Sequence, residues 1–456
     1  MHYGPIISRG ATPDKMIVHW GTASNTDGPT VTYRVKGSAT SLTATAVHSC
    51  TNSSSNCDYE ATLPSLTEGT EYEYAIAGNA VDGSLHFGTC PAAGSPLDVV
   101  FYGDSRSGGS VHQMVAGNVL AKGADMVFES GDVQLDGLYA NYWSATDTNN
   151  EPGFFVGAKD LVSVIPFMAV PGNHEHGQIG LTDVTKNYEL LFPNPSYTLN
   201  ASGRVDYYSF VCAGVMFIGL DGNASSDSTQ ASFLKAQLAA AAADNNISHV
   251  FAWLHQSPYS IGTNHGGETA TRVWVPDFEA STNKVRAVFS GHDHNYQREL
   301  HNGVTYIVSG GAGADLYDLT YAPASGVTVE KSAMQYNFVA LHITPTLVSG
   351  SAFDGQSAAP IESFTLFGSP PDGGTGGTGG GGGGGTGGSG GGGSGGTGGN
   401  GGGGGAGGSG GGSGTGGNGN TASHSGCSVA GAGSFGTSAL FAASLLGLAF
   451  RRRRRA

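Results

Sequence analysis

Six side chains of the types that bind metal ions lie at or just beyond the ends of apolar runs. They are two carboxylates, one amide and three imidazoles: Asp104, Asp132, Asn173, His255, His292 and His294. Carboxylate, amide and imidazole groups suit hard and borderline cations such as Fe, Zn and Mn. No thiolate is among them, which argues against a structural zinc or iron–sulfur site. The set predicts two adjacent divalent or trivalent cations, an arrangement that hydrolyses phosphate esters.

One carboxylate of this set can serve both cations. Asp132 is the predicted bridge, because it follows a glycine at the end of a predicted strand. Asp104 and His294 are then assigned to the first cation, and the amide with the other two imidazoles to the second. The spacing of His292 and His294 is consistent with both rings entering the same two-metal site, since alternate residues of a strand-end turn can reach into one site.

Four more residues are predicted to assist the cations. His174, beside the amide ligand, is interpreted as a contact to a phosphate oxygen or as a proton donor to the leaving group. Arg106 is a candidate contact to a phosphate oxygen. Glu175 and Asp293 are predicted to orient histidines from behind. His265 is placed at the surface or in a supporting role.

The elements that must position these residues form an alternating pattern. The apolar run 98–102 predicts a strand, 111–122 a helix and 125–128 the next strand, which together make a βαβ unit. Further strands are predicted at 162–170, 215–220, 249–254, 285–289 and 304–308, with a helix at 229–243. Sites in α/β sheets form at the carboxyl ends of strands, which is where the candidate ligands fall.

The chain before this pattern is different. Residues 3–92 contain β-rich, partly alternating segments at 16–20, 31–35, 43–47 and 72–76, separated by Gly, Asn, Asp and Ser. Such spacing predicts a small all-β sandwich. A Pro- and Gly-containing linker follows, and residues 97–367 are predicted to form the α/β catalytic domain.

Charge narrows the choice of partner. The chain has 35 acidic and 20 basic residues, but five of the bases are Arg451–Arg455, and no acidic residue follows Asp372. The folded part therefore carries 35 acids against 15 bases, a net charge near −20. Such a surface repels nucleic acid and acidic lipid, whereas a small phosphate ester can still bind because the charge of a metal centre dominates locally.

The cysteines have no zinc-finger spacing. Cys50 and Cys57 flank a polar, turn-like stretch, and two readings stay open there: a disulfide closing the loop in an exported protein, or two unpaired thiols.

The C-terminal part has an unusual composition. Residues 368–426 consist mostly of Gly with Ser, Thr and Asn, which predicts a flexible tether. Residues 427–456 hold Cys427, an apolar stretch from Val429 to Phe450 and the arginine run, which predicts a transmembrane anchor with the enzyme outside. The alternative is a disordered basic tail. The first residues lack the features of a signal peptide, so export would need a leader outside this chain or another route.

The motifs together resemble those of the calcineurin-like metallophosphoesterases. They are Gly103-Asp104, Gly131-Asp132, Gly172-Asn173-His174-Glu175, His255 before Pro258-Tyr259, and Gly291-His292-x-His294-x-Tyr296-x-Arg298. Within that superfamily residues 3–367 look like the purple acid phosphatase branch, which has a fibronectin type III-like N-terminal domain. The resemblance implies a four-layer α/β/β/α catalytic fold, a two-metal centre and hydrolysis of phosphomonoesters.

Two positions depart from that pattern. The purple enzymes have a metal-bound Tyr three residues after the bridging Asp, where this chain has Leu135. The wider superfamily has a His two residues after the first Asp, where this chain has Arg106. The first cation therefore lacks one protein ligand, which water or His112 would supply, and no purple iron–phenolate colour is expected.

The tail resembles the C-terminal sorting segment of myxobacterial surface proteins, called MYXO-CTERM. This resemblance implies export, sorting machinery as a partner and attachment to the cell surface, with Cys427 as the processing point. The sequence thus predicts a secreted, tethered phosphomonoesterase. The alternatives are a phosphodiesterase or nucleotide hydrolase on the same centre, and a catalytically weak surface binding module.

Overall fold

The structure, a computed structural model, describes residues 3–23, 29–51, 56–146, 149–176, 185–195, 206–280 and 283–369. The predicted tether, apart from its first two residues, and the predicted anchor at 427–456 lie outside these ranges. Where the structure describes the chain, no helix combines the length and the apolar character needed to cross a bilayer.

The N-terminal part is a β-sandwich. Two four-stranded sheets, ordered β1-β2-β6-β5 and β4-β3-β7-β8, face each other over a core that contains Trp20, Tyr59 and Tyr74. This confirms the predicted all-β domain. Its strands are β1 Tyr3–Arg9, β2 Met16–Thr22, β3 Thr30–Val35, β4 Leu42–Thr45, β5 Val47–Thr51, β6 Asn56–Leu63, β7 Glu71–Ile76 and β8 His86–Gly88.

The segment predicted as one strand at 43–47 is divided between the two sheets. β4 pairs with β3, whereas β5 pairs with β6 in the other sheet. Ala46 lies between them, and its amide donates to Pro29 O at 3.1 Å. The chain changes sheets at this residue, which a run of β-forming residues does not reveal. Cys50 and Cys57 lie opposite each other on β5 and β6 and form a disulfide. Of the two alternatives for these cysteines, the structure therefore has the disulfide that closes the loop.

Two larger sheets follow. The first has the order β11-β10-β9-β19-β20-β21 and the second the order β12-β13-β14-β15-β17-β16-β18. The strands are β9 Leu97–Tyr102, β10 Met126–Glu129, β11 Phe167–Ala169, β12 Tyr208–Cys212, β13 Val215–Gly219, β14 His249–Gln256, β15 Val285–Gly291, β16 Tyr296–His301, β17 Val304–Ser309, β18 Thr328–Ala333, β19 Asn337–Thr344, β20 Leu347–Asp354 and β21 Pro360–Phe367.

The helices cover the outer faces of both sheets. They are α1 Gly109–Leu120, α2 Phe154–Gly157, α3 Lys159–Val162, α4 Thr185–Leu191, α5 Ser228–Ala243 and α6 Val275–Phe278. The first four pack on the first sheet, and α5 and α6 pack on the second. Between the sheets lies an aromatic layer, in which the rings of Phe101 and Phe289 are 3.7 Å apart. The predicted four-layer α/β/β/α fold is therefore confirmed.

The predicted βαβ unit is β9–α1–β10, whose strands run parallel. β10 continues in parallel to β11, and in the second sheet β13, β14, β15 and β17 are parallel neighbours. All of these strands end at the same edge of their sheet, because parallel strands share one direction. That edge of each sheet is where the candidate ligands are found.

A second disulfide was not predicted. It joins Cys90, just after β8, to Cys212 at the end of β12, across 122 residues of sequence. The buried Arg9 also links the two domains, since its guanidinium donates to Gly88 O and to Asp125 O, each at 3.1 Å. These bonds fix the sandwich to the catalytic domain near the amino ends of β10 and β13, away from the candidate site.

Candidate metal centre

The candidate ligands sit in tight turns at strand ends. Asp104, Asp132 and His292 have positive φ angles of 61°, 58° and 71°. Residues other than glycine rarely adopt this left-handed conformation, and such strain concentrates at functional sites. His292 directly follows β15, whereas Asp104 and Asp132 lie two and three residues beyond the ends of β9 and β10.

Glycines beside the ligands leave room for the ligand of a neighbouring turn. A Cβ atom at Gly172 would lie 2.1 Å from Asp132 Oδ1, and one at Gly291 would lie 2.1 Å from Asp104 Oδ2. Both distances are far below van der Waals contact, so no larger residue fits. Glycine is therefore required before Asn173 and before His292 because a neighbouring turn packs against it, and not only because of the local turn conformation.

Four ligands converge on what we call the second position, formed by Asp132, Asn173, His255 and His292. His255 Nε2 lies 3.3 Å from Asp132 Oδ1, 3.0 Å from Asn173 Oδ1 and 3.2 Å from His292 Nδ1. All four residues are buried. The carboxylate and the two rings bring one ligand atom each within 4.8 Å of one another.

This arrangement fits a cation. His255 Nδ1 donates to Ser130 O at 2.8 Å, so its Nε2 presents a lone pair to the oxygens of Asp132 and Asn173, which present lone pairs as well. Lone pairs that meet in a buried place need a positive charge between them. Burial lowers the pKa of His255, but the negative charges of Asp132 and Asp104 outweigh it and raise the pKa to about 9. Without a metal, a proton takes the cation's role.

The first position is formed by Asp104, Asp132 and His294. His294 Nε2 lies 3.4 Å from Asp104 Oδ1, and Asp104 Oδ2 accepts from the backbone amide of His292 at 2.9 Å. The guanidinium of Arg106 lies among these ligands: its Nε is 3.0 Å from Asp132 Oδ2 and its Nη2 is 3.2 Å from His294 Nε2. The structure thus brings Arg106 against the ligand side chains themselves.

Asp132 lies between the two positions, as a shared ligand must. Its Oδ1 faces His255 and its Oδ2 faces Arg106. Burial would raise the pKa of Asp132, but the charges of His255, His174 and Arg106 hold it well below its usual value. The carboxylate is therefore ionised and available for a metal.

His174 lies at the edge of the centre. Its Nδ1 donates to Leu135 O at 2.5 Å, and its Nε2 lies 3.6 Å from Asp132 Oδ2. Burial lowers the pKa of His174, and Arg106 adds to this effect against the attraction of Asp132. The ring is thus neutral near pH 7, and its Nε2 accepts a proton instead of donating one. Donation to a leaving group would require acid.

Glu175 has a different role from the one predicted. Its buried carboxylate accepts from the backbone amides of Gly172 at 2.7 Å, Asp132 at 2.9 Å and Val133 at 3.0 Å, with Gln134 at 3.4 Å. It therefore joins the turn after β10 to the turn after β11. Burial and the charge of Asp132 raise the pKa of Glu175 to about 7, while these amides favour its ionised form.

Asp293 connects the centre to the loop after β14. Its Oδ2 accepts from Ser260 Oγ at 2.5 Å, and its Oδ1 accepts from the backbone amide of His265 at 3.3 Å. Asp293 therefore positions this loop, and through it the ring of His265, beside His292.

Two residues of that loop border the site: His265, which was predicted at the surface or in a supporting role, and Glu268, which was not predicted from the sequence. The ring of His265 stacks on His292 with centroids 3.8 Å apart, and Glu268 Oε1 lies 3.6 Å from His292 Nε2. Both are more exposed than His292, so they form the rim of the centre. Burial and the neighbouring His292 lower the pKa of His265 to about 4. The signal available in the sequence for Glu268 was its place in the loop that follows His255 and β14.

His112 does not join the centre, and its prediction as an extra ligand is wrong. Its ring stacks on Phe154 at 5.1 Å, and its Nε2 lies 3.4 Å from the Tyr102 hydroxyl. Burial lowers its pKa to about 3. His112 occupies the buried face of α1, where it packs as a neutral ring between the helix and the first sheet.

The fold and this site define a class of protein. Residues 3–88 match the family model of the purple acid phosphatase N-terminal domain, and residues 111–296 match that of the calcineurin-like phosphoesterases. The second region therefore belongs to the calcineurin-like phosphoesterases, and the chain has the two-domain arrangement of the purple acid phosphatases. That family uses a binuclear centre of Fe, Zn or Mn, and this chain carries candidate ligand groups for it.

Three proteins illustrate the likeness. An uncharacterised protein of Mycobacterium tuberculosis is 26% identical over 329 residues, which cover 62% of this chain and 59% of that protein. Purple acid phosphatase 22 of Arabidopsis thaliana is 27% identical over 240 residues, 51% of each chain. The solved purple acid phosphatase PPD1 from yellow lupin seeds has a TM-score of 0.65 and 18% identity, and the match covers 79% of this chain and 73% of that one. The lupin likeness shows the fold alone, and this chain spans about three fifths of the mycobacterial protein.

Proposed function

We propose that this protein is a metal-dependent hydrolase of phosphomonoesters. The observation that carries the proposal is the convergence of Asp132, Asn173, His255 and His292 on one buried point at the strand ends. The family matches support a phosphoesterase of this kind. A monoester is favoured over a polyanion because the folded part of the chain is strongly acidic.

Metal bound by Asp132, Asn173, His255 and His292 would supply positive charge to the phosphoryl oxygens and would lower the pKa of water. The chain's own residues complete the site. Asp132 holds the two ligand sets in register, and the Nε2 of neutral His174 accepts a hydrogen bond from the attacking water. Arg106, whose side chain is 11% exposed, adds a fixed positive charge beside the phosphoryl group.

Chelation is the direct test of this function. Removing metal with a chelator is expected to lower the turnover of p-nitrophenyl phosphate by a factor of about 1,000 or more, because a hydrogen bond to the neutral ring of His174 cannot lower the pKa of water as a bound metal ion does. Adding back Mn²⁺, Zn²⁺ or Fe²⁺ should restore it. The same assay with bis-p-nitrophenyl phosphate and nucleotides checks the substrate class.

The outcomes separate the rival functions. Faster turnover of the diester or of nucleotides would replace the monoester assignment by a phosphodiesterase or a nucleotide hydrolase. Metal bound in near-stoichiometric amount with no turnover of any ester would favour a surface binding module instead.

We further propose that the protein is exported and tethered at the cell surface through residues 427–456. The disulfides Cys50–Cys57 and Cys90–Cys212 support an oxidising compartment, where such bonds persist. Treating intact cells with an external protease is expected to release phosphatase activity. Replacing Cys427 by Ala should send the protein to the medium or retain it inside. Protection of the wild-type protein from the protease would contradict the proposal.

A further inference from the structure

The guanidinium of Arg106 occupies the middle of the first position. It contacts two of the three ligands there, Asp132 Oδ2 at 3.0 Å and His294 Nε2 at 3.2 Å. The third ligand, Asp104, has an Oδ1 that is buried and accepts no hydrogen bond from the described part of the chain. Its charge adds to that of Asp132 in attracting Arg106. The ligands of a metal ion are here arranged around an organic cation.

The lone pair of His294 can accept from Arg106 or bind a metal ion, but it cannot do both. His294 Nδ1 donates to Asp315 O at 2.6 Å, so the only lone pair of the neutral ring is on Nε2, and that lone pair faces the guanidinium. Tyr317 stacks on the ring with centroids 3.9 Å apart and hinders its rotation. An N–H of Arg106 and a metal ion would compete for this single lone pair.

The arginine is held in place along its length. Its backbone amide donates to Asp132 O at 3.1 Å, and its carbonyl accepts from the amide of Gly108 at 2.8 Å. Its Nη1 lies 3.3 Å from Ser107 Oγ. A side chain that is 11% exposed and bonded at both ends has little freedom to leave the first position.

The two departures from the family pattern, at positions 135 and 106, are consistent with a guanidinium in the place of the first cation. The side chain of Leu135, at the place of the tyrosine ligand in purple acid phosphatases, has no lone pair to offer. Arg106 brings a permanent positive charge to the place of a neutral histidine. A metal ion in the first position would thus have fewer ligands and would meet the repulsion of the guanidinium.

We infer that the guanidinium of Arg106 replaces the first cation, so that this centre holds a single metal ion, at Asp132, Asn173, His255 and His292. The inference rests on the proposed function, because it assumes that the second position binds metal. The ligand atoms of the first position cannot bind an additional metal ion while the guanidinium of Arg106 contacts Asp132 Oδ2 and His294 Nε2. Asp132 then bridges a metal ion and a guanidinium instead of two metal ions.

The test is metal stoichiometry. The full chain, stripped of metal and titrated with Mn²⁺ alone, is expected to bind one ion, with a further ion bound about 100-fold more weakly or not at all. Arg106→His supplies a neutral ligand and is expected to bind two ions of similar affinity, with the magnetic coupling of a Mn²⁺ pair in electron paramagnetic resonance. Arg106→Gln removes the charge without adding a strong ligand and should give an intermediate result.

Arg286→Gln is the matched control. Arg286 contacts His249 and Phe367 at the other end of the second sheet, so its replacement should leave the stoichiometry at one. Two ions bound with similar affinity to the wild-type chain would overturn the inference, whatever the turnover. One ion bound without turnover would leave this inference intact and overturn the proposed function.

A crystal structure keeps the inference testable if the Arg106 variants do not fold. Wild-type crystals soaked in Mn²⁺ are expected to show one anomalous peak, beside His255. A second peak between Asp104 and His294, with Arg106 turned away, would contradict the inference.

Discussion

Replacing Asp132 by Asn is expected to lower kcat/KM for p-nitrophenyl phosphate by a factor of about 1,000 or more. Asp132 is the one carboxylate that belongs to both ligand sets: its Oδ1 lies 3.3 Å from His255 Nε2, and its Oδ2 lies 3.0 Å from Arg106 Nε. Asparagine has nearly the same shape but lacks the charge, and its NH₂ group would face either a metal ion or the donors around it. The steady-state rate constants and the metal content of the variant are the measurements.

Folding should survive this change. The metal-free variant is expected to unfold cooperatively, because the amide oxygen can still accept from the backbone amide of His174, but at a lower temperature than the metal-free wild type, because the guanidinium of Arg106 loses the carboxylate 3.0 Å away. Asp160→Asn is the control, since Asp160 is an exposed residue of α3 and should leave the rate unchanged. Turnover within tenfold of wild type at full metal content would refute the assignment of Asp132 as the shared ligand.

Replacing Glu175 by Gln is expected to reduce kcat/KM by a factor of about 100 and the free energy of unfolding by about 3 kcal/mol. Glu175 touches no reacting atom; it is a positioning residue. Its carboxylate accepts from the amides of Gly172, Asp132 and Val133 and so holds the turns that carry two ligands of the second position. The NH₂ group of Gln would meet at least one of these N–H donors.

A positioning role has its own signature. The Mn²⁺ affinity of Glu175→Gln should fall together with its stability, and Glu175→Asp, which keeps the carboxylate on a shorter stem, should recover part of both. The control is Glu71→Gln, an exposed partner of Lys36 in the N-terminal sandwich. Wild-type metal affinity and stability in Glu175→Gln would show that the amide contacts do not position the ligands.

Much of the fold was predictable because local pattern and long-range pairing agree. Each apolar run that was predicted as a strand of the catalytic domain contains or overlaps an observed strand, and 229–243 matches α5 to within one residue. The exceptions have physical causes. The run 162–170 begins as the end of α3, and only 167–169 pairs with β10. The run 43–47 crosses from one sheet to the other at Ala46.

The candidate ligands were predictable for a related reason. Parallel strands end at one edge, so polar residues placed directly after such strands must meet there. The structure brings together all six predicted ligands. His112 was misplaced because a histidine on an amphipathic helix looks the same in sequence whether it faces a cation or a ring such as Phe154.

The pattern of apolar runs and strand-end residues was therefore enough to reach the four-layer fold, the place of the site and the ligand types, because these depend on interactions between near neighbours and on the direction of parallel strands. Contacts between distant segments decided the rest. The Cys90–Cys212 bond, the hold of Glu175 on two turns, the rim formed by His265 and Glu268, and the placement of Arg106 at a cation's position all depend on distances across the fold. No local property of the chain encodes such distances, so they became visible only when the strand ends were packed together.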